Sequence, residues 1–143
     1  MKDWIKRYSW IVGLIAIAVV IIVCFQEKKE KEQQRYEIEQ LCRHTIHTAL
    51  EDMKGYAETG EESRYYSGVA EFRAFMQIYY GLKGETIPEY LYCNEVYGLM
   101  LNQPQKVQEN VHKLIPALEA LANDYTDLNG YMELRVFYNA VTI

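Results

Sequence analysis

Residues 10–25 read WIVGLIAIAVVIIVCF, sixteen consecutive positions without a charged side chain. Lys6-Arg7 precedes the segment and Lys28-Lys29 follows it. Sixteen helical residues cover about 24 Å at ~1.5 Å per residue, and the uncharged neighbours on either side extend the run toward the ~30 Å of a bilayer core. The pattern predicts one transmembrane helix whose ends carry aromatic and lysine side chains suited to the membrane interface.

Two other interpretations of this segment are weaker. The core helix of a soluble protein shows a polar face, and residues 10–25 have none. A cleaved signal peptide ends in small residues, whereas this run ends in Val23-Cys24-Phe25. Val23 is also too large for the position before a lipid-modified cysteine. We therefore expect an uncleaved signal-anchor that makes the chain a single-pass protein of the cell membrane.

The orientation of the anchor depends on the basic residues beside it. Lys2, Lys6 and Arg7 lie in the nine-residue tail, and a similar number of lysines and arginines follows the span. The number of basic residues is therefore similar on both sides of the span, and the positive-inside rule favours neither orientation. A short basic tail usually stays in the cytoplasm while the larger domain is translocated, so we expect the C-terminal domain to be extracytoplasmic, with the reverse orientation open.

Apolar side chains recur at helical spacing through the rest of the chain. The first stripe predicts one helix, and four more predicted helices follow. The first stripe consists of Ile38, Cys42, Ile46, Ala49, Met53 and Tyr56; the later helices run from Tyr65 to Tyr79, from Thr86-Ile87-Pro88 to Leu101, from Pro104 to Tyr125 and from Leu128 to Val141. The third helix is apolar enough to be buried nearly all round, Pro116 should kink or split the fourth, and Thr126 or Asp127 should cap the last. On the last helix the face of Leu128, Tyr131, Leu134, Tyr138 and Val141 should be buried.

The predicted fold class is all-α, with the transmembrane helix continuing into a stalk and then into a small bundle or stacked hairpins of about five helices. The expected organisation is a tail at 1–9, an anchor at 10–25, a charged helical stalk at 26–36 and a helical soluble domain at 37–143. The tetratricopeptide pattern does not fit the predicted helices, and the sequence resembles no other family.

Composition and motifs exclude several classes of protein. The chain has 143 residues, 15 basic and 20 acidic side chains and three cysteines. An acidic balance argues against nucleic-acid binding, and an odd cysteine count argues against a disulfide framework. The sequence contains no GxxxxGK[ST], GxGxxG, HExxH, GxSxG or CxxC motif. We therefore expect no catalytic activity and no cofactor.

Two groups of side chains could bind a metal ion or form a disulfide. His44, His47 and Glu51 can share one face of the first helix, which would suit a membrane-bound enzyme, but a neutral glutamine occupies the preceding turn, so we interpret the face as solvated and expect no bound metal. Cys42 and Cys93 could form a disulfide in an oxidising compartment, or could act as small core hydrophobes.

Tyrosine departs most from average usage, with thirteen in the chain. Tyr66 and Tyr80 lie on the flank of the second helix, and Tyr90 and Tyr92 open the third. Tyrosine closes the rim of small bundles, and it is also enriched in protein-binding surfaces. These four residues are the candidate contacts for an unknown protein partner.

The resulting functional hypothesis is a membrane-anchored helical module for protein–protein interaction or scaffolding. The alternative is a sensor that binds a small ligand or peptide in an aromatic-lined cleft between the second and third helices. An exposed apolar patch favours the first hypothesis, and a closed aromatic cavity favours the second.

Overall fold

The computed structural model of the protein describes residues 2–83 and 88–142, with side chains from Tyr8 onward except that of Ser9. These residues form six helices and no strand, which confirms the all-α prediction. The helices are α1 (Lys2–Thr59), α2 (Glu62–Lys83), α3 (Pro88–Asn102), α4 (Pro104–Glu109), α5 (Val111–Asn123) and α6 (Leu128–Thr142). Thr86 and Ile87, predicted to open the third helix, lie outside the described residues.

The chain divides into two compact units, one up to Glu37 and one from Ile38 onward. In the first unit, every side chain of residues 10–25 is exposed except that of Ile11, which is half-buried. Among the described residues, α1 is the one helix long and apolar enough to cross a membrane. Beyond the apolar segment the same helix carries an ion pair between Lys28 and Glu32 at 3.9 Å, which is typical of a solvated helix.

The second unit has a single hydrophobic core. The α3 helix contacts both α2 and α6, and α5 packs against α6. The largest buried side chains come from five of the helices: Ile46, Met53, Tyr65, Phe72, Phe75, Tyr79, Met100, Leu114, Leu118, Leu121, Tyr131 and Phe137. The Tyr65 hydroxyl donates a hydrogen bond to the Met100 carbonyl oxygen at 3.0 Å, which joins α2 to α3 inside the core.

Burial differs from the sequence prediction at the edges of this core. Ile38, predicted to begin the first stripe, is exposed, and the buried stripe begins at Cys42. Leu91 and Leu101 of α3 are more than half exposed, although this helix was predicted to be buried nearly all round. The α2, α4 and α6 helices contact α3 but leave Leu91 and Leu101 facing outward.

The predicted fourth helix is divided, and the division lies at Asn110 rather than at Pro116. The Asn110 side-chain amide donates to the Lys106 carbonyl oxygen at 2.9 Å, which is the acceptor that the Asn110 backbone N–H would use in a continuous helix. The backbone N–H donates to Val107 instead, at 3.1 Å. Pro116 lies inside α5.

Three local features fix the ends and the packing of the helices. Gly60 has a φ of +69°, and its N–H donates to the Tyr56 carbonyl oxygen at 2.8 Å, which ends α1. The Asp127 carboxylate accepts the Asn129 N–H at 3.2 Å, which confirms Asp127 as the cap of α6. On α6, a Cβ at Gly130 would lie 2.7 Å from Leu121 Cδ2, so α5 and α6 pack closely at this point.

Candidate functional site

The α6 helix exposes a line of large apolar side chains. Leu128, Met132 and Val136 are 59%, 50% and 60% exposed and occur every fourth residue; we call them the α6 stripe. The opposite face of the helix is buried and consists of Gly130, Tyr131, Leu134, Phe137 and Val141. The helix is therefore apolar on two faces, and the fold covers one of them.

The helical repeat explains why the two faces separate. Each residue advances about 100° around the axis, so steps of four residues keep the α6 stripe within a sector of about 80°. The prediction that Leu128 belongs to the buried face is wrong, and Tyr138 is only partly buried because Phe137 takes the core position. The spacing of Leu128, Met132 and Val136 was the sequence signal for this second face.

Charged side chains of opposite sign flank the α6 stripe. Glu133 and Arg135 are both exposed and lie on the two sides of the stripe by the helical repeat. Arg135 is held by α3, because its Nη1 donates to the Tyr92 hydroxyl at 3.1 Å and its Cζ lies 5.2 Å from the centre of the Tyr92 ring. The stripe thus has an acidic and a basic border.

The four tyrosines singled out in the sequence lie in three places. The Tyr80 and Tyr90 rings are 4.8 Å apart, so α2 and α3 bring this pair together. Tyr92 contacts Arg135 instead. The Tyr66 ring lies 5.4 Å from that of Tyr65, about 21 Å along α2 from Tyr80. A binding role for these tyrosines stays a prediction, but the four do not share one surface.

Aromatic rings fill the interior between α2 and α6. The Tyr79 ring lies 5.8 Å from Phe75, 5.9 Å from Tyr125 and 5.5 Å from Tyr131. The Tyr131 hydroxyl donates to the Tyr125 carbonyl oxygen at 2.6 Å, and the Tyr79 hydroxyl is buried. Burial raises the pKa of both Tyr79 and Tyr131. These rings pack on one another as core side chains do.

The two cysteines of the second unit have low reactivity because they are buried. Cys42 and Cys93 are buried free thiols, and a disulfide between them, one of the two alternatives drawn from the sequence, stays a prediction. Burial raises the pKa of the Cys42 thiol to about 12, and burial together with the Glu89 carboxylate raises the pKa of Cys93 as well. Because the thiolate is the reactive form, neither side chain is prepared to act as a nucleophile near neutral pH.

The histidine face of α1 is exposed at His44, His47 and Glu51. Within residues 2–83 and 88–142, no group of three or more His, Cys, Asp or Glu side chains could hold a metal ion. The face consists of side chains in contact with solvent, as the sequence interpretation expected.

A groove of about 280 Å³ lies between α3 and α6. Its lining is about equally polar and apolar, with Asn94, Asn102, Gln103 and Thr142 among its polar residues and Glu95 as its one acidic residue. Tyr138 is the one aromatic residue that lines it. The groove therefore differs from the aromatic-lined cleft that the sensor hypothesis requires.

Comparison with protein-family models finds no match, and comparisons with curated proteins and with solved structures find none either. The side chains described above are therefore the basis for a functional proposal.

Proposed function

We propose that the chain is a single-pass membrane protein whose helical domain binds another protein, as an accessory or scaffold module that acts without catalysis. The α6 stripe is the observation that carries this proposal. Single exposed apolar residues are ordinary on protein surfaces, whereas a continuous exposed line on a helix marks an interaction surface. Three large side chains at helical spacing form such a line.

The membrane part of the proposal is supported by residues 10–25. Their side chains are apolar on every side of the helix and all but one are exposed. No face of this segment suits water, and a hydrocarbon surrounding suits all of them. The basic residues Lys2, Lys6 and Arg7 before the segment fit the proposed orientation, in which this side of the span is cytoplasmic and the helical domain lies outside the cell membrane.

The sensor alternative has less support from the same structure. The predicted ligand cleft lies between α2 and α3, where the centroids of the Tyr80 and Tyr90 rings are 4.8 Å apart. The aromatic rings of the core pack directly on one another, and the groove between α3 and α6 has Tyr138 as its one aromatic lining residue. Binding through an exposed surface fits these observations better than binding inside a cavity.

The test uses full-length protein in its own membranes and a chemical cross-linker. Met132→Glu and Val136→Glu place a charge in the α6 stripe, and Gln77→Glu places the same charge on an exposed position of α2. We expect the stripe variants to lose cross-linked species that the wild type and Gln77→Glu retain, because a buried unpaired charge opposes binding. Protease added outside intact cells should digest the helical domain.

Unchanged melting temperatures would show that the stripe variants fold. If both folded stripe variants keep every cross-linked species, the interaction proposal fails. If the helical domain resists external protease until the membrane is opened, the proposed orientation is reversed.

A further inference from the structure

We infer that the partner of the α6 stripe is the α6 stripe of a second copy of this chain, with the two helices parallel. This inference rests on the proposed function, since it assumes that the stripe is a binding surface. Three features support it: the charges that border the stripe, the position of Arg135 and the size of the surface.

The charge pattern makes the surface complementary to itself. With about 100° per residue, Glu133 and Arg135 lie about 80° to either side of the midline between Met132 and Val136. When two identical helices face each other in parallel about a two-fold axis, the left flank of one meets the right flank of the other. Glu133 of each copy then faces Arg135 of the other, which gives two ion pairs beside the apolar seam.

The antiparallel arrangement lacks this complementarity. Two identical antiparallel helices related by a two-fold axis bring like flanks together. Glu133 would then face the acidic flank of the second copy, and Arg135 the basic flank. Like charges side by side oppose association, so the borders of the stripe select the parallel pair.

The Arg135 side chain is already positioned for such a contact. Its hydrogen bond to the Tyr92 hydroxyl at 3.1 Å and its placement over the Tyr92 ring limit its freedom before any partner arrives. A guanidinium has several N–H donors in a fixed plane, so the contact with one hydroxyl leaves others for a carboxylate. Less side-chain entropy is then lost on pairing.

The size of the surface predicts where pairing occurs. Three side chains supply only part of the ~800 Å² per partner that a stable complex buries. Two copies held in one bilayer have a raised effective concentration, because each anchor already restricts the position of its domain. We therefore expect pairing in the membrane and its loss when the protein is diluted with excess lipid.

The test is thiol cross-linking of the full-length protein in phosphatidylcholine vesicles. All variants carry Cys24→Ser, which removes the exposed native thiol, while the buried Cys42 and Cys93 are kept. Met132→Cys lies on the seam, and Gln77→Cys is the matched exposed control on α2. With a short bismaleimide, Met132→Cys should give about tenfold more covalent dimer than Gln77→Cys.

A charge exchange tests the parallel arrangement. In the Met132→Cys protein, Glu133→Arg or Arg135→Glu alone should lower the dimer yield about fivefold, because each places like charges opposite one another. The double exchange Glu133→Arg with Arg135→Glu restores opposite charges and should return the yield to within about twofold. A structural role of either residue within one copy would not be rescued in this way.

The outcomes separate the two proposals. Equal dimer yields from Met132→Cys and Gln77→Cys would overturn self-pairing, and a seam cross-link without rescue by the exchange would overturn the parallel arrangement. The broader proposal is tested by cross-links to other proteins in the native membrane. If self-pairing fails but Met132→Glu removes those cross-links, the stripe binds a different protein. If Met132→Glu changes no cross-link of any kind, both proposals fail.

Discussion

Residues 10–25 and the α6 stripe are both exposed apolar helical surfaces, but their apolar side chains are distributed differently around the helix. In residues 10–25 apolar side chains point in every direction. In α6 they form one exposed line opposite a face that the fold buries. An apolar surface on all sides of a helix fits the hydrocarbon surrounding that we propose for residues 10–25, and a single exposed line fits the protein partner that we propose for α6. The angular spread of exposed apolar residues therefore indicates what covers them.

The largest expected effect breaks the membrane side of this comparison. Ile17→Arg combined with Val20→Arg places two charges in the middle of residues 10–25. Each charge at the centre of a span opposes insertion by roughly 2.5–3.5 kcal/mol, so we expect the variant to leave the membrane fraction. The measurement is extraction of membranes with alkaline carbonate. Glu30→Arg, beyond the apolar segment, is the control and should be retained. Retention of the double variant would contradict a lipid surrounding.

The next effect sharpens the contrast between the two faces of α6. Leu134 is fully buried and Met132 is half exposed. We expect Leu134→Ala to lower the free energy of unfolding by about 2–5 kcal/mol and Met132→Ala to change it by less than about 0.5 kcal/mol. Urea unfolding of the full-length protein in detergent micelles, followed by circular dichroism, measures both. Equal losses would show that α6 is covered on both faces within one chain.

The smallest effect for each ionisable side chain is the loss of stability at alkaline pH. We expect it in the second unit and not in residues 10–25. Residues 10–25 contain one titratable side chain, Cys24. The second unit buries several groups whose pKa is raised chiefly by burial: Cys42, Cys93, Tyr65, Tyr79 and Tyr131. In the unfolded chain these groups ionise near their ordinary values of 9.0 for thiols and 10.0 for phenols.

The sign of the pH dependence follows from the raised pKa values. Stability is complete below pH 9 and falls as the pH rises toward the folded value, which is about 12 for Cys42. The loss is about 1.4 kcal/mol per pH unit for each group that ionises only after unfolding. Circular dichroism and tyrosinate absorbance should show cooperative unfolding above pH 10, with residual helix from residues 10–25. Gradual tyrosine ionisation without loss of helix would contradict the burial of these hydroxyls.

Periodicity predicted most of the fold because each helix reports the residues that face the core. The buried positions of α1 recur at steps of three and four, and the sequence places Cys42, Ile46, Ala49 and Met53 correctly on this ground. Periodicity does not predict the division between α4 and α5 at Asn110. It depends on which donor reaches the Lys106 carbonyl oxygen, and periodicity carries no information about that choice.

The candidate site was harder to predict for a geometric reason. The α6 helix carries two apolar faces, and spacing alone does not say which one meets the core. The buried face of α6 is the one that packs against α5, and the spacing within α6 carries no information about that contact. Leu128 is therefore predicted on the wrong face. The tyrosines illustrate the same limit, since only the structure shows that Tyr90 lies beside Tyr80 while Tyr92 contacts Arg135.

The absence of a side chain at Gly130 governs the direction in which the outer surface of α6 points. A methyl group there would meet Leu121 at 2.7 Å from Cδ2 and 3.0 Å from its backbone nitrogen. The helix would have to roll about its own axis to relieve that overlap, and Met132 and Val136 would swing with it. A substitution hidden between two helices can thus redirect a contact surface that it never touches, so loss of binding by itself would not locate a mutation on that surface.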